Sequence, residues 1–146
     1  MASRSDTSVS DELGAHVSSR GGVANAPGRA SELDARVFQL FTKQPNRWAE
    51  PKVDEATVTA FAEARARAGT RWCVSHDSYL INLASPDTSL WERSLRSFEA
   101  ELGRCAALGV EAVVTHPGNA TDGDPARGIA ANALGLARAL EAVPDV

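Results

Sequence analysis

The chain has little of several residue types that define whole classes of protein. Its 146 residues include two cysteines, and Cys73 and Cys105 lie far apart with no CxxC spacing. This usage excludes a disulfide framework and favours a reducing cytoplasm as the location. We expect both thiols to pack in the interior, since a free cysteine behaves as a small hydrophobe.

Long apolar runs and an excess of basic charge are also missing. No run approaches the roughly 18 apolar residues that a membrane-spanning helix requires, so a membrane partner is not expected. Residues 1–10 have no apolar segment of a secretory signal, and we interpret them as a polar, disordered leader before one domain at 11–146. The net charge of −4 argues against a broadly basic nucleic-acid binder, although a local groove can still be basic.

One pattern occurs four times along the chain: a short apolar run, a polar turn and an amphipathic stretch. The apolar runs lie at 13–17, 37–41, 72–75 and 112–115. The amphipathic stretches that follow predict helices ending near residue 33, over 55–68, ending near 108 and over 125–142. Strands that alternate with helices in this way indicate parallel βαβ units.

The helix ends have recognisable signals. Ser89 and Glu92 have the spacing of a capping box, and Gly109 suits the end of that helix. Asp124 is a good N-cap, and Pro125 suits the first helical position. The predicted buried faces are Trp91, Leu95, Phe98, Leu102 and Cys105 in the third helix, and Ile129, Ala133, Leu136 and Leu140 in the fourth.

All three histidines fall at or just after the end of a predicted strand. They are His16, His76 and His116. In parallel α/β folds that edge is where ligands bind, and neutral imidazole is a good zinc ligand. Asp77 could act as a further ligand or as a hydrogen-bond partner of a ligand. The other nearby carboxylates in the sequence are Asp122 and Asp124.

The loop KQPNRW follows the second predicted strand. Lys43 and Arg47 have the charge to contact phosphates, and Trp48 could stack on a base or sugar. The alternative is a solvated turn in which Trp48 folds back onto the protein. Spacing alone does not decide between these two interpretations.

Several of these segments together resemble the endonuclease IV family of zinc-dependent apurinic/apyrimidinic endonucleases. The segments are GAHVS (14–18), GGVANA (21–26), LFTK (40–43), HDSYLINL (76–83), RCAALG (104–109) and THPG (115–118), in the family's order. The resemblance implies a (β/α)8 barrel of the TIM type with a trinuclear zinc site. It also implies a base-excision-repair enzyme that hydrolyses DNA 5′ to an abasic site. This chain would cover about four βα units, half of the barrel.

The resemblance also assigns roles to individual residues. His76 and His116 match two zinc ligands of the family. His16 and Asp77 are candidates for residues that contact these ligands without binding the metal. Tyr79 and Leu80 match a loop that enters the minor groove of double-stranded DNA beside a flipped-out nucleotide. The family usually has an arginine in the loop after the second strand that inserts into the DNA. That position is Asn46 here, and Arg47 lies one place later, so the inserting residue is either shifted by one place or replaced.

The resemblance implies that the family's fifth strand, which carries a glutamate bridging two zinc ions, would begin where the sequence stops at Val146. We therefore expect at most a partial metal site here, a chain that is inactive alone, and self-association through exposed half-barrel edges. Three alternatives stay open: a sugar isomerase or epimerase of the xylose-isomerase-like barrels, a non-catalytic half-barrel module that dimerises, and a doubly wound flavodoxin-like fold.

Overall fold

The computed structural model describes residues 13–144, and the predicted leader at 1–10 lies outside them. Four strands alternate with four α-helices, and a 3-10 turn at Val23–Asn25 precedes the first helix. The strands are β1 (Gly14–His16), β2 (Val37–Leu40), β3 (Trp72–His76) and β4 (Ala112–Val114). The helices are α1 (Ala26–Ser31), α2 (Glu55–Ala68), α3 (Thr88–Leu108) and α4 (Pro125–Ala142).

The sheet is entirely parallel, and its strands follow one another in chain order from β1 to β4. The helices pack on their neighbours in the same order, α1 on α2, α2 on α3 and α3 on α4. A flavodoxin-like sheet would place β1 between β2 and β3, so the doubly wound alternative is wrong. Sequential parallel strands with a helix after each one form an arc of a barrel.

The two faces of the sheet differ in burial. Phe38, Leu40, Cys73 and Ser75 are buried and alternate along β2 and β3 with residues that are more exposed. On the opposite face Trp72 is 51% exposed. Because side chains alternate along a strand, the buried set packs under the helices and the other set lines the concave side of the arc.

The third helix begins differently from the prediction. Asp87 is its N-cap, and the carboxylate accepts a hydrogen bond of 2.8 Å from the Leu90 amide. The capping box at Ser89 and Glu92 is therefore wrong, because Asp87 already accepts from a free amide of the first turn and Ser89 lies inside the helix. The predicted end of this helix at Gly109 is confirmed, with that glycine in the left-handed conformation at φ 65°.

The fourth helix begins as predicted but buries a different face. Asp124 accepts from the Arg127 amide at 3.0 Å, with Pro125 in the first turn. Ile129 is 71% exposed, Leu140 is 52% exposed and Ala133 is also exposed, so the predicted buried stripe is wrong except at Leu136, which packs against the core. The face turned inward is made of small residues instead, namely Gly128, Gly135 and Ala139.

Close packing explains that choice of small residues. A Cβ atom added at Gly135 would lie 3.0 Å from a methyl carbon of Leu83, and one added at Gly128 would lie 2.7 Å from the Cβ of Ala120. A larger residue at either position would push the helix away from the loops beneath it. Of the large apolar side chains of α4, Ile129, Leu134 and Leu140 are exposed, whereas Leu136 packs against the core.

The predicted buried apolar face of α3 is largely confirmed. Leu95, Phe98, Leu102 and Cys105 are buried, and Trp91 is half-buried.

Within residues 13–144 no helix is long and apolar enough to cross a membrane.

Both cysteines are free and buried, so their reactivity reports whether the core is packed as described. Burial raises the pKa of the Cys73 thiol to about 12 and also raises the pKa of the Cys105 thiol. We expect neither thiol to react with Ellman's reagent at about pH 8 in the folded protein, because the reactive species is the thiolate. Both should react after denaturation in guanidinium chloride. Rapid labelling without denaturant would contradict this packing.

Candidate metal and nucleic-acid site

The structure brings the three histidines to one edge of the sheet. His16 ends β1, His76 ends β3, and His116 follows β4. The ring centroids of His76 and His116 are 5.1 Å apart, and those of His16 and His76 are 6.5 Å apart. The carboxyl ends of parallel strands meet at this edge, so residues distant in sequence become neighbours.

An aromatic residue occupies the corresponding place after β2. The Phe41 ring lies 4.6 Å from His16, 5.4 Å from His76 and 5.3 Å from Tyr79, between ring centroids. Sequence reasoning missed this residue, although its position just after a strand is the one that the histidines share. Phe41 therefore contacts the rings of His16, His76 and Tyr79 at the same edge.

Hydrogen bonds orient two of the imidazoles. His76 Nδ1 lies 2.9 Å from the Asp77 carbonyl oxygen, and His16 Nδ1 lies 2.8 Å from Gln39 Oε1. An N–H at Nδ1 leaves a lone pair at Nε2, the form in which a histidine binds a metal. Gln39 was not predicted, but its pairing with His16 in the β1–β2 register is the signal that would have found it.

Asp77 points its carboxylate inward. It is 2% exposed, and one oxygen accepts from the Thr115 hydroxyl at 2.5 Å while the other lies 3.7 Å from His76 Nδ1. Burial raises the pKa of this carboxyl, although the hydrogen bond from Thr115 opposes the shift. Asp77 thus fixes Thr115, the residue immediately before His116. These contacts suit a residue that orients a metal ligand better than one that binds the metal itself.

Asn82 joins the loops that follow β3 and β4. Its side-chain oxygen accepts from the amides of Asn119 at 2.9 Å and Ala84 at 3.1 Å, and its nitrogen donates to the Asn119 carbonyl at 3.0 Å. Gly118 has φ +86°, and a Cβ there would collide with the Asn82 side-chain oxygen. Only glycine allows this approach, so the two loops that carry His76 and His116 are held against each other.

The other two predicted carboxylates lie elsewhere. Asp122 pairs with the Arg127 guanidinium at 2.7 Å, which lowers the pKa of Asp122, and Asp124 caps α4. In the stretch from 13 to 144 no group of three or more histidine, cysteine, aspartate or glutamate side chains could hold a metal ion. His76 and His116 are therefore a pair of candidate ligands without a third.

Tyr79 and Leu80 stand beside this pair. Tyr79 is 59% exposed, with its ring centroid 5.8 Å from that of His76, and Leu80 is half-buried. The Pro45 carbonyl accepts hydrogen bonds from the Ser78 hydroxyl at 2.6 Å and the Tyr79 amide at 3.1 Å. The loops after β2 and β3 consequently form one continuous surface.

The loop after β2 differs in part from the prediction. Asn46 and Arg47 are exposed. Trp48 is half-buried, and the Arg93 guanidinium lies 4.5 Å from its ring centroid, so the ring folds back onto the protein. Lys43 is 7% exposed and its ammonium pairs with Glu50 at 2.5 Å. The charge of Lys43 is therefore already enclosed, and the predicted contact with phosphate would require this ion pair to open.

A buried ionic cluster lies behind that loop. Glu101 is 1% exposed and accepts from Ser75, Thr42 and Arg104 at 2.5, 2.7 and 2.5 Å. Arg104 also donates to Glu50 at 2.6 Å. Burial alone would raise the pKa of Glu50, but hydrogen bonds from Lys43, Ser97 and Arg104 outweigh it and lower that pKa. No periodicity in the sequence indicates this cluster.

Comparison with known proteins agrees with the arc of parallel strands. Residues 27–145 match the family described as the xylose isomerase-like TIM barrel. The chain belongs to that family. The structure superposes with a TM-score of 0.78 on endonuclease IV from Thermus thermophilus, at 36% identity, over 90% of this chain and 48% of that one.

Relatives by sequence point in the same direction. The chain is 38% identical over 135 residues to a probable endonuclease 4 of Geotalea daltonii, covering 92% of this chain and 45% of that protein. It is 46% identical over 109 residues to a probable endonuclease 4 of Chlorobium phaeobacteroides, covering 73% and 38%. The predicted resemblance to endonuclease IV is confirmed. The chain spans about half the length of these relatives, as expected for half a barrel.

A D-psicose 3-epimerase shares the fold. It superposes with a TM-score of 0.66 over 91% of this chain and 49% of that one, at 14% identity. This likeness shows the barrel architecture alone.

The bridge made by Asn82 can be tested by its effect on stability. We expect Asn82→Ala to lower the free energy of unfolding by about 1–3 kcal/mol, since three hydrogen bonds are lost. Asn132→Ala is the control, because Asn132 makes one hydrogen bond, to the Pro117 carbonyl. Urea unfolding measures both. Equal losses for the two variants would show that the bridge adds nothing particular.

Proposed function

We propose that the protein is a zinc-dependent endonuclease of DNA repair that hydrolyses the phosphodiester bond 5′ to an abasic site. The observation that carries this proposal is the pair formed by His76 and His116 beside the exposed Tyr79, at the edge where barrel enzymes bind substrates. Identities of 38% and 46% to proteins named probable endonuclease 4 support it, whereas the epimerase stands at 14%.

His76 and His116 would hold the metal. Their rings are adjacent, and the hydrogen bond at His76 Nδ1 presents Nε2 as the ligand atom. When bound, zinc would supply a Lewis acid for the phosphate and lower the pKa of an attacking water. Two imidazoles fall short of the roughly three protein ligands of a catalytic zinc site. We propose that the remaining ligands come from a second half of the barrel, since the relatives are about twice as long as the matched region.

The neighbouring loops would bind the DNA. Tyr79 and Leu80 offer apolar surface that can fill the space left by a missing base, as wedge residues do in kinked duplexes. Asn46 and Arg47 are exposed on the loop bonded to Tyr79 through Pro45, and Arg47 can pair with a phosphate. Because the net charge is −4, electrostatic attraction to DNA would depend on local basic groups such as Arg47.

Binding to damaged DNA tests this function. The purified 146-residue chain is expected to bind a duplex with one abasic analogue more tightly than the matched intact duplex, measured by fluorescence anisotropy. Tyr79→Ala should remove most of this preference, because stacking contributes about 1–3 kcal/mol per base. Tyr79→Phe should retain it. Equal affinity for both duplexes would refute the proposal.

The same duplex tests the incomplete ligand set. With added zinc the chain alone should not nick the abasic strand, and neither should His76→Ala, which controls for contaminating nucleases. Zinc-dependent nicking by the chain that disappears in His76→Ala would show that these residues suffice for catalysis. The proposed need for a second half-barrel would then be wrong.

We also propose that a preparation of these residues alone self-associates. The concave face of the sheet exposes apolar side chains, with Trp72 51% and Val114 41% exposed. Contiguous apolar surface of this kind favours association, and a second copy is the partner always present in such a preparation.

Analytical ultracentrifugation measures that association. We expect a concentration-dependent dimer that Trp72→Ser weakens. Leu33→Ser is the matched control, since Leu33 is 62% exposed and lies just after α1, outside the strands that form the concave face. A monomer at all concentrations, or equal effects of the two variants, would contradict the proposal.

A further inference from the structure

The loop at residues 44–49 is closed at its base by an ion pair. Lys43 precedes the loop and Glu50 follows it, and Lys43 Nζ lies 2.5 Å from Glu50 Oε1. Ser97 on α3 contacts both ends, since its hydroxyl lies 2.6 Å from Glu50 and 3.1 Å from Lys43. The two ends of the loop are therefore fixed to each other and to a helix.

The base of the loop is embedded in the protein. The side chains of Lys43 and Arg104 are 2% and 5% exposed, and that of Glu50 is 29% exposed. Arg104 bonds to Glu50 at 2.6 Å and to Glu101 at 2.5 Å, so two buried cations face two carboxylates. Removing the Glu50 charge would leave a buried cation without compensation, which strongly destabilises such a cluster.

The outer part of the loop is also held. The Pro45 carbonyl accepts from Ser78 and Tyr79, and Trp48 lies against Arg93. Asn46 and Arg47 remain exposed between these attachments. Because the segment is fixed at its base, at Pro45 and at Trp48, the backbone that carries Asn46 and Arg47 is held in a single arrangement.

We propose that Glu50 is a positioning residue that closes the loop at 44–49 and thereby holds Asn46 and Arg47 in the arrangement that binds DNA. Glu50 does not touch the DNA in this proposal; it acts through the loop. The proposal rests on the proposed DNA-binding function. Preorganisation of the loop would contribute to affinity because less conformational freedom is lost when DNA binds.

Limited trypsin digestion tests the closure without DNA. Cleavage after Arg47 is followed by mass spectrometry and compared with cleavage after Arg20, which lies in the loop after β1. Glu50→Gln should accelerate cleavage after Arg47 roughly tenfold relative to cleavage after Arg20, because the loop opens locally. Lys43→Met is a second variant that removes the same ion pair while leaving the bond between Glu50 and Arg104. If Glu50→Gln does not fold, Lys43→Met shows whether the ion pair between Lys43 and Glu50 closes the loop.

Glu63→Gln is the matched control. Glu63 pairs with Arg67 at 3.3 Å on the exposed surface of α2 and is 62% exposed, so the variant removes the same charge without touching the loop. Cleavage after Arg47 should match that of the unaltered chain.

DNA affinity then tests the positioning role. Removing a negative charge would by itself tighten binding to DNA, and Glu63→Gln should leave affinity unchanged or slightly increased. Glu50→Gln should instead weaken binding to the abasic duplex about fivefold, through loss of preorganisation. The two variants are thus expected to differ in affinity, with only Glu50→Gln binding more weakly than the unaltered chain, although they change the net charge equally.

The outcomes separate the two proposals. Unchanged cleavage after Arg47 in folded Glu50→Gln and Lys43→Met proteins would overturn the closure by Glu50. Faster cleavage with undiminished affinity for the abasic duplex would overturn its positioning role. If the unaltered chain shows no preference for the abasic duplex, the proposed function fails, while the cleavage ratio still decides whether Glu50 closes the loop.

Discussion

The buried carboxylate of Glu101 joins three parts of this structure through hydrogen bonds. It accepts hydrogen bonds from Ser75 in β3, from Thr42 just after β2 and from Arg104 on its own helix. A buried charge is tolerated only when it is paired and its oxygens are satisfied, so these elements have one compatible arrangement. Among residues 13–144 no buried side-chain polar atom lacks a partner. The helix, the two strands and the loop at 44–49 are therefore fixed as one unit behind the histidines.

That rigidity matters because the site is built from strand ends and the loops that follow them. Each candidate ligand comes from a different βα unit, and small side-chain bridges bring them into contact. Asp77 holds Thr115, Asn82 holds Asn119, and Ser78 holds Pro45. In each case a polar side chain bonds to the neighbouring loop, so the distance between the His76 and His116 rings is determined by contacts outside the pair.

The sequence predicted the repeating units well because each depends on local rules. The bounds of α2 and α4 follow from apolar spacing and aspartate caps, and Gly69 and Gly109 mark the ends of α2 and α3. The placement of the histidines followed from strand ends alone. Two features depend on tertiary packing and could not be predicted from local sequence rules. The inward face of α4 is set by the fit of Leu83 against Gly135, and Lys43 is withdrawn from solvent by Glu50, which lies in a loop without periodicity.

The order of the strands has a consequence for synthesis. Every strand pairs only with the strand immediately before or after it in the chain, so each new βα unit adds to a surface that already exists. Pairing between successive strands requires closure of one βα unit at a time, which loses less entropy than pairing between strands distant in the chain. During synthesis each new βα unit would therefore extend the arc formed by the units before it. The concave face exposes Trp72 and Val114 while the arc grows, and exposed apolar surface of this kind is what chaperones bind.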